Sequence, residues 1–171
     1  MPSGEFAPNP AVIIRPATRD DAGGIALVFL ESAEYHASLD GQRYAAPRPE
    51  RITELYRKRR QHPPGSRATA ITLVAELRGE IVGFVDARLE RSPDPMHRQL
   101  IYCQIAEIAV RRQRHSQGIG GQLLRAAEQW GRGQGAEFAV LEYLASNTRA
   151  GRFYEQHMGY SVASIIAIKR M

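Results

Sequence analysis

The chain has 171 residues, 43% of them hydrophobic and 24% charged, with a formal charge of +5 and a sequence pI near 9.7. That length suits one domain with a sizeable core, and no apolar run approaches the roughly 20 residues needed to span a bilayer. Cys103 is the single cysteine, which excludes an internal disulfide and any cysteine metal cluster and fits a cytoplasmic address.

Residues 1–10, MPSGEFAPNP, lack the charged start and apolar stretch of a signal peptide and read as a flexible tail. Residues 11–171 read as a single domain. A short strand at 12–15 is ended by Pro16. Thr18 or Asp20 then caps a helix whose apolar face is Ala22, Ile25, Val28 and Phe29, weakened near its start by Gly23-Gly24. A polar stretch over 39–49 leads to a second helix over 50–61, which His62-Pro63-Pro64-Gly65 stops.

Residues 70–77 and 81–89 are β-prone runs joined by Arg78-Gly79-Glu80, a hairpin. Gly83 inside the second run predicts a bulge or a close backbone approach. Ser92-Pro93-Asp94-Pro95 reads as loop. A long strand over 100–110 precedes a helix over 118–131, with Ile119, Leu123, Ala126, Ala127 and Trp130 at helical spacing. A strand over 137–144 and a helix over 148–158, ended by Gly159, come next. Short strands at 160–162 and 165–168 close the chain. The order β-α-α-β-β-β-α-β-α-β-β predicts a mixed α/β (α+β) fold, with a mostly antiparallel sheet of about seven strands and helices on both faces.

The basic balance suits an anionic partner, whether nucleic acid, membrane surface or phosphorylated cofactor. The densest basic run, Arg57-Lys58-Arg59-Arg60, has only Tyr56 beside it. It lacks the aromatic interleaving of a single-strand binder and reads as a solvated helix face. No nucleic-acid or membrane partner is expected. The five histidines show no metal-ligand spacing such as HExxH, so no metal is expected either.

The sharpest local signal is Val110-Arg111-Arg112-Gln113-Arg114-His115-Ser116-Gln117-Gly118-Ile119-Gly120-Gly121. It leaves a strand, turns through glycines and enters a helix. Glycines let a ligand approach the backbone closely, and unpaired N–H groups at a helix start attract an anion such as a pyrophosphate. No Lys-Ser/Thr follows the glycines, so this is not a Walker A loop. By itself the turn is weak evidence and is also open to a reading as tight packing.

Its context narrows the choice. The turn resembles the Gln/Arg-x-x-Gly-x-Gly/Ala signature of the GCN5-related N-acetyltransferase (GNAT) superfamily, which opens a helix after the family's fourth strand. Asn147, Ala150, Phe153 and Tyr154, followed by Gly159-Tyr160, are similar to the family's Asn-x-x-Ala-x-x-Phe-Tyr helix and its ending. Ile14-Arg15-Pro16-Ala17 with Asp20-Asp21 is similar to its first strand and helix. His115 stands where the motif has Gln or Arg; one guanidinium contact is lost there, which Arg111, Arg112 or Arg114 could supply. Tyr143 replaces a small aliphatic residue and would narrow the cleft.

The resemblance implies an N-acetyltransferase that uses acetyl-CoA as cosubstrate without a covalent acyl-enzyme. Backbone of Ile108 and Val110 would pair with the pantetheine arm, and amides of His115, Ser116, Gln117, Gly118, Ile119, Gly120 and Gly121 would hold the pyrophosphate. Asn147 would hydrogen-bond along the arm, and Tyr154 would protonate the leaving thiolate. An alkyl ammonium with a pKa near 10.4 cannot attack until a base takes its proton. Glu107 and Glu142, each interrupting an apolar run, are the two candidates, Glu142 resembling a glutamate that some protein N-terminal acetyltransferases use. Cys103, with no His/Asp partner in view, reads as core. Tyr35 and His36 read either as a helix end or as part of the acceptor cleft.

The acceptor is expected to be a primary amine on a small or amino-acid-like molecule. Segment 36–64 should form much of its pocket, and its Arg/Lys excess argues against polyamines and aminoglycosides through like-charge repulsion. A protein N-terminus or lysine, and a catalytically silent acyl-CoA-binding module, are the alternatives. A homodimer is left open.

Overall fold

The computed structural model describes residues 11–59, 68–91, 96 and 98–170. Five strands form one sheet in the order β1-β2-β3-β4-β5: β1 Ile13–Pro16, β2 Ala70–Leu77, β3 Glu80–Arg91, β4 Ile101–Val110 and β5 Phe138–Leu141. The first four run antiparallel to their neighbours, and β5 joins β4 in parallel. Parallel entry needs a crossover, which the helix α3, Ile119–Gly133, supplies. Helices α1, Ala22–Leu39, and α2, Pro49–Lys58, lie between β1 and β2 in the chain, and α4 is Thr148–Arg152. The chain falls into two compact units, Met1–Leu141 and Glu142–Met171.

Side chains alternate across the sheet, and each face meets different helices. Phe84 points to α1 and α2, stacking near Phe29 and edge-on to Tyr56, in a core that includes Ile25, Val28 and Val74. Cys103 lies on the opposite face, its Sγ 3.7 Å from the Ala127 carbonyl of α3. Helices therefore cover both faces of the sheet. Gly24, which costs α1 helical propensity, has a packing reason: a Cβ there would stand 2.8 Å from Ile81. Arg15 ties β1 to the start of α1, with its guanidinium on Asp21 (2.7 and 2.8 Å) and on Glu76 of β2 (2.7 Å).

Two irregularities matter for the site. The β2–β3 register shifts between Ala75 and Glu76, beside Gly83, where a Cβ would lie 3.0 Å from the Ala109 carbonyl. This is the bulge and close approach expected there. In the β3–β4 pair Asp86 faces Glu107 but Ala87 faces Ile105, so Ala106 is the extra residue of a β4 bulge.

The expected seven strands are corrected to five among the described residues. Residues 160–162 and 165–168 are not strands. Val162 is 61% exposed and Ile165 87% exposed. β-branched residues favour a strand only where a neighbour offers a ladder and a surface to pack on, and neither run has a paired strand. The strand expected over 137–144 stops at Leu141, and the last helix breaks into α4 and a π turn, Phe153–His157. His62-Pro63-Pro64-Gly65, Ser92–Pro95 and the tail 1–10 lie outside the described residues.

Candidate active site

In the first unit, β4 carries the site. It pairs with β5 only through Tyr102, Cys103, Gln104 and Ile105. From the Ala106 bulge onward, Glu107, Ile108, Ala109 and Val110 have no described strand on that side. An unpaired edge presents N–H and C=O groups to which an extended amide-bearing chain can add. Ile108 and Val110 lie on that edge.

The chain leaves β4 through a 3-10 turn, Arg112–Arg114, and reaches α3. His115 closes back, its Nε2 2.8 Å from the Val110 carbonyl, while its amide donates to the Arg112 carbonyl. Ser116 and Gly118 take positive φ, 63° and 77°. For Gly118, the N-cap, that conformation favours glycine, and no protein atom comes within 4 Å of where its Cβ would stand. The first amide of α3 to reach back is that of Gln122, 3.1 Å from the Gly118 carbonyl. Ile119, Gly120 and Gly121 therefore point N–H groups out of the helix start with no acceptor within it. Arg111 is engaged elsewhere: its Nε sits 2.7 Å from Glu31, whose other oxygen accepts from the Arg112 amide at 2.8 Å.

Glu107 is half-buried and faces the α1/α2 side, the face of Phe84. Burial, then the charge of Asp86 opposite it, push its carboxyl up to about 7, with Ser32 partly offsetting. Ser32 Oγ donates to it over a long 3.5 Å and stands 3.4 Å from His36 Nδ1. That nitrogen also lies 2.8 Å from the Ser32 carbonyl, which can only accept, so Nδ1 carries the ring hydrogen. His36 packs against Tyr44 at 5.6 Å and Tyr35 at 6.3 Å. Both tyrosines are exposed.

A cluster that the sequence reading missed lies beside Glu107. Asp86 is 4% exposed. It accepts from Tyr56 Oη and Thr72 Oγ1, each at 2.7 Å, and pairs with Arg59 at 2.5 Å. Arg59 also lies over the Tyr56 ring, 4.5 Å from its centroid. The basic run is thus only partly a solvated face: Arg57 and Lys58 are exposed, but Tyr56 is buried and Arg59 reaches a buried carboxylate. An aspartate two positions from Phe84 in an apolar strand carries the same signal that singles out Glu107. Burial also pushes the Cys103 thiol up to about 11, as expected of a thiol packed in the core.

The second unit holds Glu142, Asn147 and Tyr154. Glu142 lies one residue past the end of β5 and is exposed. Asn147 is buried and caps α4, its Oδ1 accepting from the Ala150 amide at 3.1 Å. Tyr154 is 8% exposed, in the π turn, with Tyr143, Phe153 and Tyr160 at 5.5, 5.2 and 6.0 Å between ring centroids. Single π turns inside helices occur frequently at functional sites. Tyr143 Oη donates to Glu155 at 2.6 Å. Among the described residues no three His, Cys, Asp or Glu gather as metal ligands.

Residues 33–160 match the family model described as the acetyltransferase (GNAT) family. No protein of curated function matches the sequence. A tetramutant of the BH1408 protein from Bacillus halodurans superposes with a TM-score of 0.75 at 22% identity, over 92% of this chain and 99% of its own. The aminoglycoside N-acetyltransferase AAC(6')-Iy in complex with CoA superposes at 0.72 and 15% identity, over 97% and 99%. An aminoglycoside acetyltransferase from an uncultured soil metagenomic sample, in complex with sisomicin, gives 0.62 and 17%, over 94% and 95%. At these identities the likeness is one of fold.

Proposed function

The chain belongs to the GNAT acetyltransferase family, and from that premise we propose that it moves an acetyl group from acetyl-CoA to a primary amine by direct attack. The observation that carries this reading is Glu107, a half-buried carboxyl raised to about 7 beside the unpaired edge of β4. A base that titrates near neutrality can both bind and release the ammonium proton. The exposed Glu142 lacks this environment, which favours Glu107 of the two.

In the proposed reaction Glu107 takes a proton from the ammonium, and the freed nitrogen attacks the thioester carbonyl. The tetrahedral intermediate then breaks its C–S bond, the CoA thiolate takes a proton from Tyr154, and the second proton of the attacking nitrogen returns to the tyrosinate to restore the phenol. The products are the acetylated amine, CoA thiol and the proton held by Glu107. Amides of Ile119, Gly120 and Gly121 at the α3 start suit the pyrophosphate, and Asn147 is assigned to the pantetheine arm on its motif. The role of Tyr154 rests on its motif and its π turn.

Structural neighbours crystallised with CoA and with sisomicin support CoA as cosubstrate and a small amine as acceptor. The basic excess of segment 36–64 opposes a cationic acceptor less than composition suggests. Arg43 is paired with Asp40, Lys58 with Glu54 and Arg59 with Asp86. Acetyl-CoA should raise the melting temperature, since a ligand at a hundredfold excess over its Kd stabilises by about 2.7 kcal/mol. A thiol-release screen across amine classes then identifies the acceptor. No thermal shift at millimolar acetyl-CoA would sink the reading.

A further inference from the structure

We propose that Asp86 is a positioning residue that sets the basicity of Glu107, and that Arg59 governs how much of the Asp86 charge Glu107 feels. The proposal rests on Glu107 as the base. Asp86 and Glu107 are direct partners across the β3–β4 ladder, immediately before the bulge at Ala106. Both side chains face the α1/α2 side. Two carboxylates at facing positions repel, and the energy is larger away from water.

Asp86 is the more fully bonded carboxyl of the pair. Two hydroxyls and a guanidinium hold its oxygens. Among the described residues Glu107 has the long contact from Ser32. Burial and then the facing Asp86 charge keep the Glu107 proton bound to higher pH. The Tyr56 hydroxyl, driven far above its ordinary range first by burial and then by Asp86, stays neutral and acts as a donor only.

The other groups around Glu107 do not replace this role. From α1 come Ser32 and, one hydroxyl further, His36; Glu31 on the same helix is occupied by Arg111. From α2 and its end come Tyr56 and Arg59, and from β2 Thr72, all of them on Asp86. Arg59 is 40% exposed at its side chain, so its cover of Asp86 is partial and adjustable. A residue with a purely structural role would not link two opposite substitutions to opposite changes in the titration of a third group. The proposal predicts that link.

The test is the titration of the Glu107 side-chain carbon by NMR in protein labelled at glutamate, alongside the pH profile of thiol release. Asp86→Asn keeps the shape and one of the two acceptor oxygens but removes the charge. It should move the Glu107 midpoint down by roughly one pH unit, about tenfold in proton affinity. Arg59→Gln uncovers the charge and should move the midpoint up. If Asp86→Asn does not fold, Arg59→Gln alone carries the test. His36→Gln should leave the midpoint in place.

A midpoint unmoved by both charge variants, with Glu107→Gln inactive, overturns the role of Asp86 and leaves the base assignment standing. Opposite shifts in a protein whose Glu107→Gln variant turns over normally sustain the coupling and overturn the base instead.

Discussion

The two faces of the sheet are built from the same strands and differ in what they bury. Toward α3 the buried part of the face is apolar: Leu73, Val85, Ala87, Cys103 and Ile105 are all buried, as are Leu123, Leu124 and Ala127 of α3. Toward α1 and α2 it begins apolar at Val74, Phe84 and Ala109, then turns polar at Thr72, Asp86 and Glu107. One face stabilises the fold. The other gives up some stability to hold two carboxylates away from water, where an ionisable group costs energy unless it is paired. In the proposed mechanism the chemistry takes place on this face, next to a bulge and the edge of β4.

The largest effect should come from Glu107→Gln, which removes the base and leaves the packing. Turnover with the best acceptor should fall 10²–10⁴-fold, with the acetyl-CoA thermal shift retained. Unchanged turnover would assign the chemistry to another residue. On the opposite face Leu123→Ala should cost about 3 kcal/mol in chemical denaturation, since Leu123 is fully buried. That loss should be the same at pH 5 and pH 8. A pH-dependent loss would mean the two faces are not distinct.

Stability sharpens the contrast further. The folded chain holds the Glu107 proton more tightly than the unfolded chain does, the folded value being about 7 against an ordinary 4.5. Its stabilising contribution is therefore complete below about 4.5 and is lost as pH rises through 7. Glu107→Gln, which cannot ionise, should be more stable than the parent by on the order of 1–2 kcal/mol at pH 8. At pH 4.5 the gain should vanish. Equal stability at both pH values would show that the carboxyl is not strained. Tyr154→Phe, in the second unit, should lower turnover at least tenfold by the usual scale of proton donation, with acetyl-CoA affinity nearly unchanged. Wild-type turnover would make Tyr154 a packing residue.

Local signals carried much of the fold. The glycine turn into α3, the hairpin of β2 and β3, the bulge beside Gly83 and the intrastrand Glu107 all follow from spacing and residue type. Register did not follow. Asp86 meets Tyr56, Thr72 and Arg59 across 30, 14 and 27 residues of sequence, separations at which no periodicity reports contact. Tyr56 and Arg59 were hidden in a run whose charge suggests plain solvation. Residues 160–162 and 165–168 show the converse. Their composition favours strands, but a strand exists only where another pairs with it, and composition does not report that.

The most direct measurement is the pH dependence of acetyl-CoA thiol release by the wild-type protein, taken from pH 5 to pH 9 with the acceptor from the screen. A base raised by burial and by Asp86 predicts kcat/KM that rises tenfold per unit and levels off near pH 7. A profile flat through that range, at full activity, would contradict the assignment of Glu107 as the base.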